Sequence, residues 1–64
     1  MFFTLIQIIF EGGEIEEFEP KDGMTLDLML TETKVVVTEV FPTYRRQTVI
    51  PLSKINRVIS CVNN

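Results

Sequence analysis

The chain reads as an all-β domain: a small, strongly bent antiparallel barrel of five or six strands, with one short 3₁₀ turn and no long helix. Three observations lead there. Runs rich in β-branched and aromatic residues recur along the 64 residues, each closed by Gly or Pro. Residues 24–30 alternate, with Met24, Leu26, Leu28 and Leu30 on one side and Thr25, Asp27 and Met29 on the other. No segment holds a helical apolar period beyond about one turn.

The elements follow in order. Phe2–Phe10 is rich in Phe and Ile, as strands are. Gly12-Gly13 marks a hairpin turn into a second strand over residues 15–19. Pro20-Lys21-Asp22-Gly23 is a turn, with Pro fixing φ and Gly free to take a positive one. The alternating run 24–30 is the third strand, and the β-branched run 33–41 (TKVVVTEVF) the fourth. Pro42-Thr43-Tyr44 turns the chain, and residues 45–50 return antiparallel. Pro51 ends that strand and suits the first position of a helical turn over residues 51–54. Residues 55–62 (INRVISCV) form the last strand.

The second half, strand 35–41, tight turn, strand 47–50, 3₁₀-like turn 51–54 and closing strand 55–59, resembles the close of SH3-like and Sm-like small barrels. The resemblance covers roughly half the chain and rests on pattern. It implies a bent barrel and nothing about activity, because such folds host many unrelated functions.

Residues 1–64 make one domain, and a chain of this size buries only about 60% of its unfolded surface. Small domains of this kind lean on disulfides, a metal or oligomerisation. Cys61 is the single cysteine and there is no histidine, so neither an intrachain disulfide nor a Cys/His zinc site is available. Association between chains is the support that remains. The lone thiol fits a reducing, cytoplasmic setting. The apolar start MFFTLIQIIF lacks a basic n-region and a small-residue cleavage site, which argues against a signal peptide. It is also far shorter than a membrane-spanning helix.

Phe2–Phe10 is apolar on both of its faces, with Thr4, Ile6, Ile8 and Phe10 on one and Phe3, Leu5, Gln7 and Ile9 on the other. One small core can cover only one of them. The second is sandwiched within the chain, lies in a homo-oligomer interface through Phe3, Leu5 and Ile9, or touches a membrane, with the interface favoured.

Charge is sorted along the chain. Residues 1–32 hold eight acids against Lys21 alone, a net of −7, whereas residues 33–64 sum to +4. Two binding surfaces follow. Glu14, Glu16, Glu17 and Glu19 form an acidic patch that steers a basic protein partner. Small acidic inhibitors encoded by phages and mobile elements are similar in this respect. Tyr44, Arg45 and Arg46, extended by Arg57, offer guanidinium forks and a stacking ring to a small anion such as a nucleotide or a short single-stranded RNA. Against this, the arginines can simply offset the acidic strand. Duplex DNA is disfavoured by the overall −3 charge.

Catalysis has little to work with. The usual base near neutral pH is missing, and Ser53-Lys54 and Ser60-Cys61 show no activating partner. The acids match no calcium loop, and Gly12-Gly13 lacks the Lys and hydroxyl of a phosphate loop. The sequence therefore predicts a non-catalytic, oligomer-forming binding protein without cofactor or metal. Its partner is a protein, as for an interaction module or inhibitor, or alternatively a small anionic ligand.

Overall fold

Six strands and one 3₁₀ turn arrange as two facing three-stranded antiparallel sheets. The computed structural model describes residues 2–63. The elements are β1 (Phe2–Phe10), β2 (Ile15–Phe18), β3 (Thr25–Leu30), β4 (Lys34–Val40), β5 (Arg45–Pro51), the 3₁₀ turn Leu52–Lys54 and β6 (Ile55–Asn63). One sheet has the order β2-β1-β6 and the other β3-β4-β5.

The all-β class, the short 3₁₀ turn and the six strands match the sequence reading. The barrel does not close, because no ladder links the two sheets. The physical reason lies between β2 and β3, where one bent strand would have to pass from sheet to sheet. Pro20 has no N–H to give a ladder. The Met24 N–H instead donates to the Lys21 carbonyl at 2.8 Å, closing a turn with Gly23 at φ 75°. A Cβ at Gly23 would also stand 3.2 Å from Pro42 Cγ, so glycine is required there twice over.

Pairing sets which residues meet in the middle. Ile6 and Ile8 of β1 are fully buried, and with Phe18, Met24, Leu26, Val35, Val37 and Ile50 they form the core between the sheets. Two register shifts in the β1–β6 ladder adjust the flanks. Phe3 pairs with Val62 and Leu5 with Cys61, so Thr4 is the extra residue, and its hydroxyl donates to the Cys61 carbonyl at 3.3 Å. The bulge turns Phe3 onto the core, where strict alternation would place it on the opposite face from Ile6. A second shift at Asn56 does the same for Ile55.

The 3₁₀ turn ties distant loops together. The Leu52 N–H donates to the Thr33 carbonyl at 2.9 Å, and the Lys54 carbonyl accepts from the Glu11 N–H at 3.0 Å. The apolar run of β3 is less buried than its alternation implies. Met24 and Leu26 are core, Leu28 is half-buried, and Leu30 is 70% exposed.

Candidate functional site

A cleft of about 450 Å³ opens between β2 and the inner end of the facing sheet. Alternation aims Glu16 inward beside Ile8, its pairing partner, while Phe18, the one buried residue of β2, forms part of the lining. Glu17, Glu19 and Lys21 also line it, and Glu39, Arg46 and Thr48 complete it from β4 and β5. The hairpin centred on Pro42-Thr43 pairs Glu39 with Arg46, and both project to the inner side.

That pair is bidentate. Arg46 donates from Nε to Glu39 Oε1 at 2.9 Å and from a terminal nitrogen to Oε2 at 3.1 Å. The two members are unequal: the arginine side chain is 63% exposed and the glutamate side chain 11%. Glu39 is thus the group that needs a partner, and Arg46 supplies it from the solvent side. The guanidinium is held above the ordinary arginine range, first by its hydrogen bond to Glu39 and then by that carboxylate's charge. Behind it, Arg46 Cζ stands 6.0 Å from the Phe41 ring centre, and Phe41 stacks on Tyr44 with centroids 4.4 Å apart and planes 12° from parallel.

A four-member cycle checks this assignment. Arg46→Met is expected to lower the urea midpoint by leaving the Glu39 carboxylate without a partner, and Glu39→Leu combined with Arg46→Met to recover part of the loss. Strictly additive effects would sink it. The pH dependence has a definite sign. A group whose pKa is raised by folding stabilises below its unfolded value and ceases to do so as pH rises through the folded one. Arg46 therefore adds no slope between acidic and neutral pH.

Of the four residues proposed for an anion, Tyr44 and Arg46 sit together about the Phe41 ring, while Arg45 and Arg57 lie apart from them. Arg46 is engaged by Glu39, Tyr44 by Phe41. Arg45 precedes Arg46 along β5 and so points to the outer face of its sheet. Arg57 lies on β6, opposite Ile9 in the other sheet. The acidic four divide as well. Glu16 and Glu19 line the cleft, Glu17 accepts a hydrogen bond from Gln7 Nε2, and Glu14 sits at the hairpin end. Of the three interface candidates, Phe3 packs on the core, while Leu5 and Ile9 are half-buried on the opposite face.

Sequence reasoning passes over Glu39, Lys21 and Thr48. Glu39 carries a usable signal, since it and Arg46 are equidistant from the Pro42-Thr43 turn. Ser53 and Lys54 fall in the 3₁₀ turn, Ser60 and Cys61 are consecutive on β6, and Cys61 is exposed. Among the described residues no group of three or more acids, cysteines or histidines is placed to hold a metal ion, and no helix is long and apolar enough to cross a membrane. No protein family, no curated protein and no solved structure matches this chain.

Proposed function

We propose that this chain is a non-catalytic protein-interaction module or inhibitor that receives a basic segment of another protein in the cleft beside β2. The observation carrying the proposal is the unequal availability of charge there. Among the described residues, Glu16 and Glu19 have no cationic side chain within salt-bridge distance, whereas Arg46 is already engaged by Glu39, which leaves Lys21 as the cleft's unpaired cation against two unpaired carboxylates. The far backbone edge of β2 pairs with no strand, so an extended segment can add to it while its basic side chains meet the carboxylates. The anionic-ligand reading draws less support, because only Tyr44 and Arg46 of its four residues sit together and Arg46 is already engaged by Glu39.

Two further features belong to this proposal. The architecture is an opened small barrel of the SH3-like or Sm-like kind, supported by β6 returning through the 3₁₀ turn to pair antiparallel with β1. The setting is cytoplasmic and reducing, supported by the free, exposed Cys61.

Fluorescence anisotropy with an arginine-rich extended peptide and, in parallel, a labelled oligouridylate tests the choice. The peptide is expected to bind in a salt-sensitive manner and to lose at least about tenfold in affinity with Glu16→Lys plus Glu19→Lys. Arg45→Ala is expected to change little. Oligouridylate binding that Arg45→Ala plus Arg46→Ala abolishes would instead assign the protein to an anionic ligand.

A further inference from the structure

Among the described residues, no strand or turn lies on the outer face of the β2-β1-β6 sheet. Pairing and alternation place Leu5 and Ile9 along its centre, Ile15 and Ile59 on either side, and Phe2 at one end. Ile15 is 60% and Phe2 53% exposed, so this is an apolar surface open to water.

The charges on this face are arranged for one particular occupant. Glu17 stands on the β2 side in the row of Gln7, and Arg57 on the β6 side in the row of Ile9. β1 runs between them, and no salt bridge joins them within the chain. A second copy laid face to face has two simple symmetric choices. A two-fold axis across the strands sets β2 on β2, opposing Glu17 to its own copy. A two-fold axis along β1 sets β2 of each copy over β6 of the other. Glu17 then lies one two-residue step, about 7 Å along the strand, from Arg57 of the second copy. An arginine side chain spans that offset, and symmetry forms the pair twice. Leu5, Gln7 and Ile9 each meet their own copy at the centre, with strand directions close to the aligned packing of sheet on sheet.

We infer that this face is the interface of an isologous dimer whose two-fold axis runs along β1, with Glu17 of each copy paired to Arg57 of the other. The inference goes beyond the cleft reading and does not depend on it: loss of peptide binding leaves the dimer standing, and the reverse holds. The face spans about 14 by 30 Å, from three strands spaced about 4.8 Å and nine residues rising about 3.3 Å each. That is small for a specific interface, so dissociation in the micromolar range is expected.

Sedimentation equilibrium of the full chain, across a micromolar to millimolar series at moderate salt, reads the result. The wild type is expected to be a monomer–dimer mixture, and Ile9→Lys a folded monomer, since Ile9 lies off the core. Glu17→Arg and Arg57→Glu are each expected to weaken the dimer about tenfold, and the combined swap to restore it. These charge variants keep the question open to refutation even if Ile9→Lys fails to fold. A wild type that stays monomeric overturns the inference, as does a dimer indifferent to Ile9→Lys. Single reversals that the swap does not rescue overturn the axis along β1. Assemblies larger than two copies, or a monomer that cosediments with phosphatidylcholine vesicles, assign the face to a different occupant.

Discussion

Ile8→Ala is expected to leave little folded protein at room temperature. Ile8 is fully buried at the centre of β1, between Glu16 and Val58 of the neighbouring strands and facing the other sheet. Truncating such a residue costs about 2–5 kcal/mol through lost transfer energy and an unfilled cavity. A single core in a domain this small supplies only about 3–5 kcal/mol of net stability. Cys61 is free, so no disulfide makes up the difference. Leu30→Ala is the matched control, expected to stay within about 0.5 kcal/mol of wild type because most of that side chain already faces water. Urea titrations followed by far-ultraviolet circular dichroism, at one fixed protein concentration, distinguish the two. An Ile8→Ala protein within about 1 kcal/mol of wild type would place the core elsewhere.

Phe18→Ala is expected to act on one strand more than on the whole. β2 has four residues, of which only Phe18 is buried, so its attachment rests on that ring and on the ladder to β1. Removing a buried phenylalanine costs about 3–5 kcal/mol. Here much of the loss is expected as local opening, because β2 is a short edge strand with little else to hold it. Amide hydrogen exchange is the decisive readout: β2 is expected to lose protection while β4, paired on both sides, keeps its own. Binding of the arginine-rich peptide is expected to fall with it, since Phe18 lines the cleft and β2 presents the carboxylates. Uniform loss of protection across both sheets would show that β2 belongs to the cooperative core.

The strand runs and turns were legible because their signals are local. Gly12-Gly13, Gly23 and Pro51 each sit where the backbone turns, and the 3₁₀ segment begins right after Pro51. The assignment of faces was less so. A strict period of two sends Phe3 away from the core, and a bulge at Thr4, set by pairing with a strand more than fifty residues away, brings it back. Alternation likewise groups Leu30 with Leu26, yet one is 70% exposed and the other buried. Charge totals for each half say nothing about register, so the pairing of Glu39 with Arg46 emerges only once β4 and β5 are aligned across Pro42-Thr43. That alignment also separates Arg45 from Arg46, which alternation along a strand requires.

The pairing of β6 with β1 has a kinetic consequence. Sheet β2-β1-β6 is the first begun and the last finished, because its central strand waits for a partner that follows the entire β3-β4-β5 meander in the chain. The meander forms from near neighbours, but the β1–β6 ladder closes a loop of more than forty residues before it gains anything. Such non-local pairing places folding in the millisecond-to-second range typical of small β domains. Through that interval Ile6 and Ile8 remain uncovered, and the risk of aggregation is set by how quickly β6 arrives.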